Sequence, residues 1–383
     1  MSSGIYVDSH STTPVDQRVV EYMVKFMTEE YGNAASIDHV HGNFAQQEVK
    51  KARSSIAKII GAKRDSEVIF TSGATEANNL ALIGAYRNYK NKGNHIISTV
   101  IEHPCVLETL KFLEEHEGAS ITLLKVDKYG QINLDDLRNA INEKTILVSV
   151  MYANNEIGTI NKISEIGAIT RENNILFHTD AAQAVGHEKV DVDKHCIDLM
   201  SFSGHKFYGP KGIGGLYVRS SSPMVRLKPI IHGGGQEKGF RSGTLNVPGI
   251  VGMAKALEYM NSEMQDRKEA LREIRDSIYS RLKDEFSDIK LNGHPVDRLT
   301  HNLNITIPGV ESKALMHALK GKLSFSAGSA CSTVKVQPSH VLKAIGLSDN
   351  ETYQTIRLGL CSNCYAEGVI NSLIDAILSV KIN

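Results

Sequence analysis

Short β-branched apolar runs alternate with stretches of helical periodicity through the first two thirds of this 383-residue chain. Val15, Val19, Val20, Met23, Val24 and Met27 recur at helical spacing behind Thr13 and Pro14, which read as an N-cap and first-turn pair. A second helix is expected from about Phe44 to Ile60, closed by Gly61. Strands are expected over 68–70, 95–98, 121–124, 146–150, 175–177 and 197–200, with helical patterns between most of them. Alternation of this kind predicts an α/β fold with a mostly parallel sheet, whose ligands gather beyond the carboxyl ends of the strands.

The texture changes near Pro248. A charge-laced helical stretch runs from Ala254 to Phe286, followed by a strand over Leu303–Ile307 and helices near Ser312–Leu319 and Glu367–Val380. These elements predict a smaller α+β domain hinged on the long helix.

Composition narrows the class. A hydrophobic fraction of 41% and a charged fraction of 22% exclude wholesale disorder. Forty-three basic residues balance 43 acidic ones, so no bulk field draws the chain to nucleic acid or an anionic membrane. The five cysteines, an odd number, do not form a secreted disulfide framework and fit a reducing compartment with a reactive thiol. The first residues lack the basic start and apolar stretch of a secretory signal, and no apolar run approaches a membrane span. A soluble, cytoplasmic globular protein is the expectation.

Five segments carry candidate chemistry. Ser72–Asn79 (SGATEANN) follows a strand, with Gly73 for a tight turn and Thr75 as a cap of the next helix, so the helix start is an anion site or an ordinary strand-to-helix turn. Asp180, in FHTDAAQA, falls at a strand end, either as a satisfied turn carboxylate or as the ion-pair partner of a pyridinium nitrogen. Lys206, in SFSGHKFYGPKGIGG, sits between His205 and a Gly/Pro-rich loop, where a lysine with a lowered pKa can form a Schiff base. Together these give one anchor for a phosphate, one for a ring nitrogen and one for an aldehyde, as a pyridoxal phosphate site requires. No G-x-G-x-x-G nicotinamide fingerprint and no Walker loop competes with that reading. Cys331 lies in a small, polar, mobile segment ahead of a helix that Pro338 helps to open, the setting of a reactive thiol, whereas Cys105 and Cys196 read as buried small residues. Arg357, in TIRLGLCSNC, faces a carboxylate or a surface partner, and Cys361-x-x-Cys364 lacks the second pair that a zinc site needs.

These segments together resemble the cysteine desulfurases of the NifS/IscS type, within the aminotransferase-like, fold-type I pyridoxal phosphate enzymes. The resemblance runs from YVDSHSTTPVD and YGNAASIDHVHG through TSGATEANN, IEHPCV, NNEIGTI, HTDAAQA and SGHKFYGPKGIGGLY to GGGQEKGFRSGTLNVPGI, SAGSACS and IRLGL. It implies a large cofactor domain over about 14–257 and a small α+β domain made of 1–13 with 258–383. It implies pyridoxal 5'-phosphate held by Lys206, with Asp180 on the ring nitrogen, Gln183 on the ring hydroxyl and His103 on the ring face, where it is also expected to take part in proton transfer. Ala74, Thr75, Ser203 and His205 match the phosphate cradle, and Thr244 matches a threonine that reaches the phosphate of the other subunit of a homodimer. Asn33, Asn155 and Arg357 match positions that hold the substrate.

The implied reaction takes L-cysteine to L-alanine, with Lys206 moving the Cα proton and the Cys331 thiolate taking the sulfur as a persulfide. Acceptor proteins then receive it, for iron–sulfur assembly, tRNA thiolation or DNA phosphorothioation. SACS…PSHVL resembles the long-loop subgroup, which serves several acceptors. Two departures stand out: Leu358-Gly359-Leu360-Cys361 follows Arg357 where a small polar residue and Gly-Arg are common, and His10 replaces an aromatic often found beside the N-terminal turn. A selenocysteine lyase or another enzyme of the same fold would need Lys206 and Asp180 but not Cys331. A non-catalytic binding protein would need neither Lys206 nor Cys331.

Overall fold

In the computed structural model, which describes residues 4–327, 329–331, 336–361 and 364–381, the start of the chain joins its last third. Strand β1 (Ile5–Tyr6) pairs in parallel with Leu323–Ser324. A seven-stranded sheet follows: β2 (Val68–Thr71), β3 (His95–Thr99), β4 (Ser120–Leu124), β5 (Thr145–Ser149), β6 (Leu176–Asp180), β7 (Leu199–Ser203) and β8 (Gly214–Val218), in the spatial order β2-β8-β7-β6-β5-β3-β4. Strands β3 to β7 are parallel, and β8 runs antiparallel to both of its neighbours.

Helices α1 (Gln17–Thr28), α2 (Val40–Ile59), α3 (Ala74–Tyr89), α4 (Pro104–Glu117), α5 (Leu134–Ala140), α6 (Ile163–Glu172) and α7 (Val247–Ser262) accompany the sheet. Successive strand residues point to opposite faces. Phe70, Ile97, Val148, Phe177, Met200 and Phe202 pack into one cluster with α2 and α7. Ile69, Ile96, Leu147 and Leu199 pack into another with α3 and α4. Both faces are covered, which is why the strands read as unbroken apolar runs rather than alternating ones. The outer strand β2 would expose the Phe70 N–H, but Glu237 Oε2 accepts it at 2.8 Å while Arg53 grips the same carboxylate.

A third cluster lies around α8 (Met264–Glu285) and a four-stranded sheet. That sheet contains β9 (Lys290–Leu291), β10 (Asn302–Thr306), β12 (Ser326–Ala327) and β15 (Thr355–Gly359), with β11 (Leu323–Ser324) being the partner of β1. Val7 joins Leu303, Ile305, Ile356, Leu358, Leu373 and Ile377 in its core, and each large apolar side chain buried there contributes roughly 1.5–3 kcal/mol. Strands β13 (Ser329–Cys331) and β14 (Val336–Pro338) form a hairpin, followed by α10 (His340–Ala344) and α11 (Asp349–Tyr353). Helices α9 (Ser312–Ala318) and α12 (Ala366–Lys381) complete the region. None of the helices among the described residues is long and apolar enough to cross a membrane.

The structure revises several local expectations. Asp16, not Thr13, caps α1; the Thr13 hydroxyl instead bonds the His205 carbonyl and the Tyr208 N–H. Helix α2 begins at Val40, with His39 as its cap, and Gly61 closes it with φ +74° as expected. The expected 254–286 helix is two helices that meet at Glu263, whose carboxylate ties Arg18 to Arg267. No Gly or Pro marks that break, so the pattern could not show it. The last two predicted strands begin later, at Leu176 and Leu199, and β8 was not foreseen because glycines occupy its first two positions.

Candidate active site

The carboxyl ends of β2, β6 and β7 open into a cleft of about 730 Å³. At the β2 end, Gly73 is the N-cap of α3 and provides no side-chain cap, so among the described residues the first-turn N–H groups of a 16-residue helix have no side-chain capping partner. Thr75 is therefore not the cap; it sits in the first turn and lines the cleft beside Ala74. Gly73 holds φ 157°, a glycine conformation. Gly214 passes so close that an added Cβ would lie 2.7 Å from Gly73 Cα. Ser203 closes the same corner, where its Oγ is the nearest neighbour of a Cβ added at Gly73.

Asp180 ends β6. Its Oδ2 accepts from Asn78 Nδ2 at 2.7 Å and its Oδ1 from the Ala182 N–H at 2.9 Å, so the carboxylate is fixed in place. Lys206 closes a short 3₁₀ turn (Gly204–Lys206) after β7. Its Nζ donates to the carbonyls of His10 and Ser11, the latter at 2.9 Å. Burial lowers its pKa to about 8, the nearby Arg357 guanidinium adds to the shift, and Asp180 and Asp8 oppose it. His205 bonds Thr12 Oγ1 at 3.1 Å, and burial, Lys206 and Lys211 bring its pKa to about 4.

His103 is the N-cap of α4, and its Nδ1 accepts the Cys105 N–H at 3.1 Å. That contact leaves the proton of the neutral ring on Nε2. Although His103 is exposed, desolvation by neighbouring protein groups lowers its pKa, with Asp180 opposing and Lys206 reinforcing the shift. Arg357, in β15, donates from Nη2 to Asp8 Oδ1, Ser11 Oγ and Ser326 Oγ, each at 2.9 Å, and from Nη1 to the Asn155 carbonyl. Its Nε is buried and has no hydrogen-bond partner among the described residues.

Of the residues expected from the sequence, Ala74, Thr75, His103, Asn155, Asp180, Gln183, Ser203, His205, Lys206 and Arg357 line the cleft together. Asn33 and Thr244 are exposed and do not line it within the single chain. The Cys331 backbone ends β13, while its side chain lies outside the described residues.

Three contributors were missed. Cys105, expected as a buried core thiol, is only partly buried and lines the cleft, with Sγ 3.0 Å from His103 Nδ1 and 3.2 Å from Asn78 Nδ2. Burial pushes that thiol up to about 12. Cys196 is also only partly buried. Asn78 is fully buried in an otherwise apolar helix face, a pattern that could have flagged it. His10 is the third.

A phosphate-sized anion is suited by the uncapped α3 terminus, a pyridinium by the fixed Asp180 carboxylate, and an aldehyde by the Lys206 amine of lowered pKa. The donor set therefore fits pyridoxal 5'-phosphate, and the class defined by fold and site is that of the aminotransferase-like pyridoxal phosphate enzymes. The chain matches the Aminotransferase class-V family over residues 5–371 and belongs to it, among its cysteine desulfurases. It is 47% identical to the cysteine desulfurase IscS of Rickettsia rickettsii, over 93% of this chain and 86% of that relative. A solved NifS-like protein superposes with a TM-score of 0.90 at 36% identity, covering 98% of this chain and 99% of the other. The structure of SspA in complex with cysteine superposes with a TM-score of 0.82 at 38% identity, covering 93% and 98%.

Proposed function

We propose that this protein is a pyridoxal phosphate-dependent cysteine desulfurase that converts L-cysteine to L-alanine and carries the sulfur as a persulfide on Cys331. The observation that carries the reading is the meeting of Lys206, Asp180 and the uncapped start of α3 in one cleft. Lys206 would hold the cofactor aldehyde, Asp180 the ring nitrogen, Gln183 the ring hydroxyl and His103 the ring face. The α3 terminus with Ala74, Thr75, Ser203 and His205 would hold the phosphate, and Thr244 would complete it from the second subunit of a homodimer. When bound, the cofactor supplies an electron sink for the bond electrons released at the substrate Cα.

Arg357 binds the substrate carboxylate, with Asn155 beside it and Asn33 as a further contact. Lys206 would be the base that takes up the Cα proton, its amine already held at a lowered pKa by burial. The Cys331 thiolate attacks the substrate sulfur; the new S–S bond forms as the C–S bond breaks, and a proton completes the alanine methyl group. Cysteine plus one thiol thus gives alanine plus one persulfide, with no outside oxidant. The Cys331 backbone pairs with Val336 in strands β13 and β14, and a thiol that serves this reaction would have to travel between the cofactor and an acceptor. Acceptor proteins of iron–sulfur assembly are the favoured recipients, given the IscS-named relatives. The same reading assigns cofactor binding to residues 14–257 and the persulfide hairpin to a small domain of 1–13 with 258–383.

The purified protein should be yellow, absorbing near ~400 nm, and should release alanine and, with added thiol, sulfide from cysteine. Cys331→Ala should abolish both products while keeping the colour. Undiminished turnover in that variant would remove Cys331 from the reaction, and turnover of selenocysteine alone would favour a lyase.

A further inference from the structure

His10 belongs to none of the anchors above, yet it is 1% exposed and lies in the wall of the cleft. Its ring Nδ1 lies 2.9 Å from Gln183 Oε1, an acceptor, so Nδ1 carries the proton. Its Nε2 lies 3.0 Å from Asn302 Nδ2, a donor, so Nε2 does not. Two neighbours of opposite polarity thus select one neutral tautomer. Burial, Arg357, His187 and Lys206 all hold the ring neutral.

The same residue also holds Gln183 from the other side. Its main-chain oxygen accepts from Gln183 Nε2 at 3.0 Å, and it is one of the two carbonyls that hold Lys206 Nζ. The Gln183 amide is therefore gripped at both ends by one residue. Flipping it would set its oxygen against the His10 carbonyl and its NH₂ against a ring N–H, two repulsive contacts. In the orientation observed, one amide N–H goes to His10 and the second remains. Behind His10 the column continues: its ring stacks on His301 at 4.4 Å, His301 on His187 at 4.1 Å, and His187 Nε2 donates to the Lys206 carbonyl at 2.9 Å.

We propose that His10 is a positioning residue, locking the Gln183 amide so that its remaining N–H is committed to the ring oxygen of the bound cofactor. This rests on the pyridoxal phosphate reading above and adds a role for a residue that touches the cofactor only through another. A hydrogen bond to that oxygen stabilises the negative charge left when the Lys206 nitrogen gives up its proton, so losing it raises the pH of that deprotonation. The other charged or titratable groups facing Lys206 are Arg357, Asp180, Asp8, His103 and His205, and the substitutions below leave them in place.

The test is a pH titration of the visible band of the loaded protein. His10→Phe keeps an aromatic ring against His301 and removes the donor; its midpoint should rise by roughly half to one pH unit, the size of one net hydrogen bond. His10→Asn restores a donor and should titrate like the wild type. In a Gln183→Ala background, His10→Phe should add no further shift, because the effect runs through that amide. His10→Leu provides a second donorless variant if the phenylalanine form does not fold. An unmoved midpoint in the donorless variants, or an equal shift with and without Gln183, overturns the assignment of His10. A wild-type protein with no visible band would instead overturn the cofactor reading.

Discussion

The Arg357 guanidinium is held by the Asp8 carboxylate, with Nη2 2.9 Å from Oδ1. The bond joins strand β15 to the segment just after β1, so the chain's first residues fix the aim of a side chain 349 positions later. Two serine hydroxyls and a carbonyl complete the grip, which leaves the buried Nε without a partner among the described residues.

Arg357→Lys should therefore raise KM for cysteine about tenfold to a hundredfold, since a point charge cannot reproduce the fixed fork and a charge-assisted hydrogen bond is worth roughly 1.5–3 kcal/mol. The visible band should be unchanged. Steady-state kinetics with an absorbance spectrum checks both, and an unaltered KM would take Arg357 out of substrate binding.

Lys206 sets a pH dependence. With its pKa near 8 in the cofactor-free protein, the amine is protonated and unreactive below that pH and free above it. The rate of cofactor uptake should rise about tenfold per pH unit up to about 8 and then level off. The folded amine binds its proton more weakly than the unfolded reference of 10.5, so the cofactor-free protein should also gain stability as pH climbs from about 8 toward that value. A stopped-flow series on apoprotein would show a midpoint near 10 if burial did not act on this amine.

Gly214→Ala should weaken the cofactor more than the fold. The new Cβ would meet Phe202 O at 2.6 Å and Gly73 Cα at 2.7 Å, both backbone atoms that cannot swing away. Moving Gly73 moves the start of α3, so the Kd for pyridoxal phosphate should rise roughly tenfold or more, about 1.4 kcal/mol. Titration of apoprotein with the cofactor measures it; equal affinity would place the phosphate elsewhere.

Cys105 and Cys364 should resist alkylation in the native protein. Burial raises both thiols to about 12, so the reactive thiolate is scarce at pH 8. Peptide mass mapping after iodoacetamide treatment should find them unmodified until the protein is denatured. Labelling of Cys105 at the rate of a free thiol would contradict its enclosure between His103 and Asn78.

Much of the cleft was legible because its chemistry is local. Asp180 is the last residue of its strand, Lys206 follows β7 within three residues, and Gly73 sits between β2 and α3. Each motif contains both the element that aims it and the group that is aimed. The break at Glu263 and the cap at Asp16 were not legible, because they depend on partners distant in sequence, or on one choice among several polar residues near a helix start.

By itself, the sequence determined the alternating α/β layering and the residue types that anchor a cofactor, since strand and helix periods and strand-end turns are properties of neighbouring positions. Only the tertiary structure decided that His10 grips Gln183, that Cys105 faces the cleft and that Asp8 holds Arg357. Those relationships arise when β1 and the segment after it are laid against β15 and the ends of β6 and β7. A hydrogen bond between positions 10 and 183 has no period to betray it; it exists only because packing brings two distant polar groups into a place where neither can find water.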